Sequence, residues 1–169
     1  MIQYRDKASS TAEMVAIARR IRAAAGRYGS LCIVNDRVEV ALASGADGAH
    51  IGAGDADPRV ARALLGPERV VGVSANTPRQ ARKAKEDGAD YIGAGPVFST
   101  PIKKGKRPLG EKRLARLVPC GIPVMAIGGI CRGNALRVTR CGCRSIAVIR
   151  AVALARDPYR ATRQLKALL

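Results

Sequence analysis

The residues most suggestive of chemistry lie in a loop of glycine, hydroxyl and lysine residues that follows an apolar run, at positions 93–105. Backbone N–H groups, the Thr100 hydroxyl and the Lys103 ammonium, placed at the end of a strand, are groups that bind phosphate. The paired glycines Gly128 and Gly129 follow another apolar run and let backbone amides approach a phosphate. The sequence therefore predicts a phosphate site built from strand ends.

Two carboxylates, Asp36 and Asp55, follow neighbouring strand-like runs. Arg5 and Lys7 follow the first such run at alternate positions, so we expect their side chains to face the same way. Carboxylates beside phosphate-binding cations suggest a bridging Mg²⁺ ion, which prefers oxygen ligands and substrate phosphates. As alternatives, Asp36 can cap the following helix and Asp55 can be a solvated loop residue. Because acids and cations recur together at strand ends, the metal site is the favoured interpretation.

His50 is the only histidine of the chain, and its place in an alternating strand indicates a hydrogen-bonded residue of the core or rim rather than a catalytic base. Ser74 ends the next strand without an obvious base partner in the sequence, so a nucleophilic triad is not expected. The five cysteines are odd in number and lack metal-binding spacing, which indicates reduced, mostly structural thiols. Such thiols predict a cytoplasmic location.

The chain carries 30 Lys and Arg against 13 Asp and Glu, a net charge of +17. The basic residues are spread along the sequence, and aromatic residues make up only 3%, so base-stacking platforms are scarce. This pattern favours solvated helix faces over a specific nucleic-acid partner. No apolar run reaches membrane-spanning length, and charged residues from Arg5 onward argue against a secretory signal.

Short β-branched runs alternate with longer amphipathic segments, which indicates repeated βα units around a parallel sheet. Three helix starts share a capping residue before proline, at Asp57, Thr77 and Asp157. Glycines mark the helix ends. The predicted strands are 2–4, 31–34, 48–51, 70–73, 91–94, 124–127 and 145–149.

Even strand spacing and polar residues after each strand favour an α/β fold of the TIM (β/α) barrel type. No G-x-G-x-x-G follows the first strand, so a Rossmann nucleotide site is not expected. Seven strands are readable where such a barrel has eight, and the chain opens on what corresponds to a second strand. The sequence thus predicts one barrel domain over residues 1–169 that lacks the first βα unit, and this unit is either lost or lies outside the sequence.

Taken together, these motifs resemble the thiamine-phosphate synthase family of the thiamine synthase/TenI superfamily. The resemblance extends from Gln3 to Val152, and the order and spacing of the motifs make it specific. The matching stretches are 3–7, 35–37, 48–52 with Asp55, 72–74, 95–100 with Lys103, 126–130 and 147–149.

The resemblance implies a TIM barrel and a transferase of thiamine biosynthesis. Such an enzyme joins 4-amino-2-methyl-5-hydroxymethylpyrimidine diphosphate to 4-methyl-5-(2-phosphoethyl)thiazole, and pyrophosphate leaves before the thiazole nitrogen captures the pyrimidine-methyl cation. It further implies Mg²⁺ on Asp36 and Asp55, with Arg5, Lys7 and Lys103 neutralising the leaving group. The implied substrate contacts are Gln3, Asn35 and Ser74 for the pyrimidine diphosphate, and Thr100, Gly128 and Gly129 for the thiazole and its phosphate. Ile149 and Arg150 are further predicted substrate contacts.

Four positions depart from the family pattern: Ile102 replaces a threonine, Ala53-Gly54 replaces Gln-Glu, and Arg150 replaces a serine, where it either contributes a cation to the phosphate or obstructs it. Two alternatives stay open. A TenI-like thiazole tautomerase shares the scaffold, although its loop histidine corresponds to Pro96 here. A degenerate, non-catalytic barrel that binds phosphates or RNA through its charge is the other. The expected partners are small-molecule substrates and a homo-oligomer, without specific nucleic acid or membrane.

Overall fold

The structure, a computed structural model, describes residues 1–52, 54–103, 105 and 107–169, with Lys103 described by its backbone alone. The strands within these residues are β1 (Ile2–Tyr4), β2 (Cys32–Asn35), β3 (Gly48–Ile51), β4 (Val70–Ser74), β5 (Tyr91–Ala94), β6 (Val124–Ile127) and β7 (Ser145–Ala147). The α-helices are α1 (Thr11–Gly26), α2 (Val38–Ser44), α3 (Pro58–Leu65), α4 (Pro78–Glu86), α5 (Glu111–Ala115), α6 (Ala135–Arg140), α7 (Arg150–Ala153) and α8 (Pro158–Lys166). None of the helices in this part of the chain has the length and apolar character needed to cross a bilayer.

The strand order in the sheet follows the sequence from β1 to β7. The pairs β1–β2, β2–β3, β3–β4, β5–β6 and β6–β7 are parallel. Parallel strands in sequential order, with helices between them, are the topology of a (β/α) barrel. The predicted α/β fold of the TIM-barrel type is therefore confirmed.

The chain divides into two compact units. The first, called the N-terminal unit, comprises residues 1–74 and 86–90 and contains β1 to β4 and α1 to α3. The second, called the C-terminal unit, comprises residues 75–85 and 91–169 and contains β5 to β7 and α5 to α8, with nearly all of α4. The single domain over 1–169 stays a prediction.

The core of the N-terminal unit is aliphatic, as the composition predicts. Strand β2 is buried on both faces, which suits a parallel strand covered by helices. Helix α1 contributes Met14 and Ala18 to this core, and both are buried because they lie on one face of the helix. The helix begins with a reciprocal capping box between Ser10 and Glu13.

The predicted proline-linked helix starts are confirmed. Asp57 accepts a hydrogen bond from the backbone N–H of Arg59 at 2.9 Å, and Asp157 accepts one from Arg160 at 2.9 Å. The Thr77 hydroxyl accepts the N–H of Gln80 at 3.2 Å. These caps satisfy backbone donors that the first turn of a helix leaves without partners.

One arginine of α3 joins two loops of the N-terminal unit. The Arg62 guanidinium donates hydrogen bonds to the carbonyl oxygens of Gly88, Gly66 and Arg69 at 3.0, 2.8 and 2.7 Å. It also donates to Oδ2 of Asp90 at 2.6 Å, and the same oxygen accepts the N–H of Val71 at 2.7 Å. This network closes the α3–β4 loop and the segment before β5 around a single side chain.

Candidate active site

The predicted site residues of the N-terminal unit lie at or just after the carboxyl ends of its strands. Gln3 lies on β1, Asn35 ends β2 and Ser74 ends β4. The charged residues follow the same ends, with Arg5 and Lys7 after β1, Asp36 after β2 and Asp55 after β3. In a parallel sheet these ends share one edge, where barrel enzymes place their sites.

The structure brings the Asp36 and Asp55 carboxylates together at Gly52. A Cβ atom built on Gly52 would lie 2.6 Å from Oδ2 of Asp55 and 3.5 Å from Oδ1 of Asp36. The backbone N–H of Gly52 donates a hydrogen bond to Oδ2 of Asp55 at 2.8 Å. The two acids therefore converge on one small space that only a glycine leaves open.

The electrostatics of Asp55 reflect this crowding. Partial removal from water raises the pKa of Asp55, and contact with the neighbouring Asp36 carboxyl raises it further. The Gly52 N–H and the Lys7 charge act in the opposite direction. Lys7 Nζ lies 3.5 Å from Oδ2 of Asp36, and 65% of the Lys7 side chain is exposed. Two acids held together this way favour a cation between them.

The donor set fits a magnesium ion. Within the described ranges no group of three or more His, Cys, Asp or Glu side chains is placed to hold a metal. Two carboxylates suit Mg²⁺, which is usually bound through one or two acids and completes its octahedron with water and substrate phosphates. Asp36 and Asp55 are the residues that would hold it.

The alternative that Asp36 caps a helix is not supported. Helix α2 has Arg37 as its N-cap residue, and no side chain caps it. Asp36 instead takes a left-handed backbone conformation with φ of 66°, and its N–H donates to the carbonyl oxygen of His50 at 2.8 Å. This turn follows Asn35 immediately, so the Asp36 side chain is directed by the turn rather than by the helix.

His50 has a partner that the sequence did not reveal. The ring is buried, and its Nε2 atom lies 3.0 Å from the Ser74 hydroxyl. The prediction of a hydrogen-bonded histidine is confirmed, whereas the absence of a base partner for Ser74 is wrong. In the sheet register His50 is paired with Asn35 of β2 on one side and with Gly72 of β4 on the other. The His50 ring therefore lies near the end of β4, where Ser74 is located.

The turn after β1 is fixed by Asp6, whose role no sequence pattern indicates. The Asp6 carboxylate accepts the backbone N–H groups of Ala8 and Ser9 at 2.8 and 3.2 Å. It also accepts the hydroxyls of Ser9 and Tyr4 at 2.8 and 3.3 Å. These bonds lower the pKa of Asp6 to about 2, the Ala8 N–H contributing most. Lys7 therefore sits in a turn that is held on both sides.

The glycine and hydroxyl loop of the C-terminal unit is bonded to the end of β6. The N–H of Val97 donates to the carbonyl oxygen of Ile127 at 2.9 Å, and the N–H of Phe98 donates to that of Gly128 at 3.1 Å. The Thr100 hydroxyl accepts the N–H of Ile102 at 3.4 Å. The loop thus runs alongside the predicted phosphate-binding glycines.

The structure supplies a packing reason for both glycines. A Cβ on Gly128 would lie 2.5 Å from the Cβ of Pro96, and one on Gly129 would lie 2.5 Å from the carbonyl oxygen of Ser99. Both glycines have left-handed φ angles, of 94° and 69°. Their lack of side chains lets the loop pack against them. Their contact with a phosphate stays a prediction.

The last two predicted substrate contacts lie at the start of α7. Ile149 is 53% exposed and precedes Arg150, which begins α7. The side chain of Lys103 and the departure at Ala53 lie outside the described residues.

Replacing Gly52 by alanine tests the acid pair. Because the new methyl group would lie 2.6 Å from Oδ2 of Asp55, that carboxylate must move. We expect affinity for Mg²⁺, measured by calorimetry on the purified chain, to fall about tenfold, as when outer-shell support of a metal ligand is lost. Gly26→Ala is the control, since nothing lies within 4 Å of the Cβ added there. Equal affinity in both variants would contradict the geometry.

Comparison with known proteins gives a consistent result. The sequence model of a family described as thiamine monophosphate synthase matches residues 1–152. A thiamine-phosphate synthase of Gloeobacter violaceus is 44% identical over 163 residues, which are 96% of this chain and 48% of the relative. One from Chloroflexus aurantiacus is 44% identical over 171 residues, covering all of this chain and 79% of the relative. The chain spans about half the length of several curated relatives: it covers 48% of the Gloeobacter violaceus protein and 47% of a thiamine-phosphate synthase from Thermosynechococcus vestitus.

Solved structures give the same fold. Thiamine phosphate pyrophosphorylase from Pyrococcus furiosus matches with a TM-score of 0.89 and 40% identity, over 98% of this chain and 80% of that one. A 3-hexulose-6-phosphate synthase matches with a TM-score of 0.72 at 16% identity, which shows a shared fold alone.

Proposed function

The chain belongs to the thiamine monophosphate synthase family, and we propose on this basis that it is a transferase of thiamine biosynthesis. Its substrates would be 4-amino-2-methyl-5-hydroxymethylpyrimidine diphosphate and 4-methyl-5-(2-phosphoethyl)thiazole, and its products thiamine phosphate and pyrophosphate. The observation that carries the proposal is the convergence of Asp36 and Asp55 at Gly52, beside Lys7.

The chemistry of this reaction needs charge neutralisation more than a strong base. Breaking the carbon–oxygen bond to the diphosphate leaves both bonding electrons on the leaving group, so negative charge grows there. Bound Mg²⁺ would supply neutralising charge to the diphosphate oxygens. Arg5 and Lys7 would donate hydrogen bonds to the same oxygens, and the side chain of Lys103 is assigned the same role by the family motif.

Lys7 is suited to a change of partner. In its ion pair with Asp36 the Lys7 side chain is 65% exposed, although that of Asp36 is only 21% exposed, and pairs with a solvent-exposed partner contribute about 1 kcal/mol or less. Exchanging Asp36 for a substrate phosphate as the partner of the Lys7 ammonium therefore costs little free energy. The hydrogen bonds of Asp6 keep the turn in place meanwhile. Gln3, Asn35 and Ser74 would hold the pyrimidine, with His50 orienting the Ser74 hydroxyl.

The thiazole phosphate is assigned to residues of the C-terminal unit. Thr100 and the amides of Gly128 and Gly129 would bind its phosphate, and Ile149 and Arg150 would complete the contacts. Support comes from the bonding of the loop to the end of β6, which fixes the Thr100 segment beside the glycines. Arg150, a cation where the family has serine, adds a phosphate-binding group.

The proposal is tested by incubating the purified chain with both substrates, with Mg²⁺ or with a chelator. We expect thiamine phosphate and pyrophosphate to form in equal amounts, and only when Mg²⁺ is present. Isomerisation of a carboxythiazole phosphate without metal would instead indicate a tautomerase. Neither reaction, together with RNA binding that weakens steeply with salt, would indicate a non-catalytic barrel. The cytoplasmic location and the homo-oligomer stay predictions.

A further inference from the structure

The loop that the proposal assigns to the thiazole phosphate is held from a second direction, at Gly95. The side-chain oxygen of Asn76 accepts the backbone N–H of Gly95 at 2.8 Å. The side-chain amide of Asn76 donates to the carbonyl oxygen of Gly95 at 3.1 Å. One side chain thus satisfies both backbone polar groups of the residue at which the loop begins.

This pair of bonds continues a ladder of backbone bonds. The N–H of Ala75 donates to the carbonyl oxygen of Gly93 at 3.0 Å. At Gly95, two residues after Gly93, the Asn76 side chain forms the hydrogen bonds that the backbone of a neighbouring strand would otherwise form. The primary amide carries one donor and one acceptor side by side, which matches the spacing of a peptide unit. Asn76 therefore extends sheet-like pairing beyond the end of β5.

The backbone N–H of Asn76 takes part in a separate hydrogen bond near the start of α4. Its backbone N–H donates to Oε1 of Gln80 at 2.9 Å, and Gln80 in turn is bonded to Thr77 at the start of α4. The hydrogen bond between Asn76 and Gln80 uses the backbone N–H of Asn76 and not its side chain. It therefore belongs to the same turn but is separate from the two bonds to Gly95.

The far end of the loop is held by different groups. The guanidinium of Arg137 lies 5.0 Å from the centre of the Phe98 ring, and the same group forms two hydrogen bonds with Glu111 at 2.9 and 2.7 Å. Gly129 lies against Phe98 and Ser99. Contacts at Phe98 and Ser99 hold that end, and the Asn76 side chain holds the Gly95 end.

We propose that Asn76 is a positioning residue that holds the 95–100 loop in the orientation needed to bind the thiazole phosphate. The inference rests on the proposed function, because the loop is assigned to that substrate there. Asn76 touches the loop backbone and acts on the substrate through Thr100. Loss of the Asn76 side chain leaves the contacts of the N-terminal unit unchanged, so we expect the effect to fall on the thiazole phosphate and not on the pyrimidine diphosphate.

The test compares Asn76→Ala with Gln80→Ala, which removes a hydrogen bond from the same turn without touching Gly95. In steady-state assays we expect Asn76→Ala to raise KM for the thiazole phosphate about tenfold, since two hydrogen bonds that orient the loop are lost. The KM for the pyrimidine diphosphate is expected to change less than twofold. Gln80→Ala is expected to leave both values near those of the unmodified chain. Equal rises in both KM values, or no rise, would overturn the inference.

A second variant and a direct measurement cover the remaining outcomes. Asn76→Asp keeps the acceptor for the Gly95 N–H and loses the donor, so we expect a smaller rise in KM for the thiazole phosphate than in Asn76→Ala. This variant also serves as the test if Asn76→Ala does not fold. Hydrogen exchange of the Gly95 amide, measured without substrate, should be about tenfold faster in Asn76→Ala than in Gln80→Ala. Unchanged exchange would contradict the role of Asn76.

Failure of the proposed function is recognised separately. If the unmodified chain forms no thiamine phosphate, the proposed function is wrong, and calorimetric titration with the thiazole phosphate alone decides the inference. Binding that weakens about tenfold in Asn76→Ala and not in Gln80→Ala would support it. Equal binding in the two variants, or no binding to the unmodified chain, would overturn it.

Discussion

Changing Asp36 or Asp55 to asparagine is expected to lower kcat about 1000-fold, because each variant loses a carboxylate that would hold the metal against the leaving diphosphate. Asparagine is the preferred replacement because the left-handed backbone at Asp36, with φ of 66°, is tolerated by Asn. The substitution therefore removes charge while keeping the turn. Turnover should be measured by the release of pyrophosphate over a range of Mg²⁺ concentrations.

The matched control is Asp157→Asn, which changes the same residue type at the cap of α8. Asparagine caps helices as well as aspartate does, so activity and stability should stay close to those of the unmodified chain. Activity in Asp36→Asn and Asp55→Asn equal to that of this control would refute the metal assignment. Activity restored by raised Mg²⁺ would agree with weakened metal binding.

Replacing Arg62 by methionine is expected to lower the free energy of unfolding by about 3 kcal/mol, because three part-buried hydrogen bonds and an exposed one to Asp90 lose their donor. The methionine keeps much of the aliphatic stem, so the effect reports the guanidinium. The acceptors left behind are the carbonyl oxygens of Gly66, Arg69 and Gly88 and the carboxylate of Asp90. For a chain of this size the melting temperature should fall by about 9 °C.

Arg59→Met provides the comparison on the same helix. Arg59 forms an exposed ion pair with Asp57 at 2.7 Å, and 67% of its side chain is exposed. Exposed pairs contribute about 1 kcal/mol or less, so the melting temperature should change by only a few degrees. Similar melting temperatures for the two variants would show that the Arg62 network does not stabilise the loops.

Much of the fold could be predicted because each βα unit carries its own local signals. Runs of β-branched residues between glycine-marked turns define the strands, and four of the seven predicted strands have the observed bounds. The Asp57 and Asp157 starts were readable because a cap followed by proline acts within one turn of helix.

The strand ends were less predictable. Strand β2 includes Asn35, whose polar side chain suggests a loop, because the residue still pairs with His50 in the sheet. Strand β7 stops at Ala147, although the apolar run continues through Val148 and Ile149, because the chain turns there into α7. In both instances the tertiary environment overrides the local pattern.

The residues that position the site could not be predicted, because they act across the sequence. His50 and Ser74 are 24 residues apart, and Asn76 and Gly95 are 19 apart. Polar residues at such separations carry no periodic signal that joins them. The Asp36 and Asp55 pair was predicted because both follow strand ends, but their meeting point at Gly52 depends on the turn geometry.

The left-handed turn at Asp36 limits how this part of the chain can be altered by evolution or redesign. Glycine would relax the backbone and delete the proposed metal ligand, whereas glutamate would keep the charge and add the conformational cost that most side chains incur there. Recruiting a larger ion such as Ca²⁺, which takes six to eight oxygen ligands, would require new donors on other segments. The ion preference of the proposed metal site would thus depend on backbone shape as firmly as on side-chain identity.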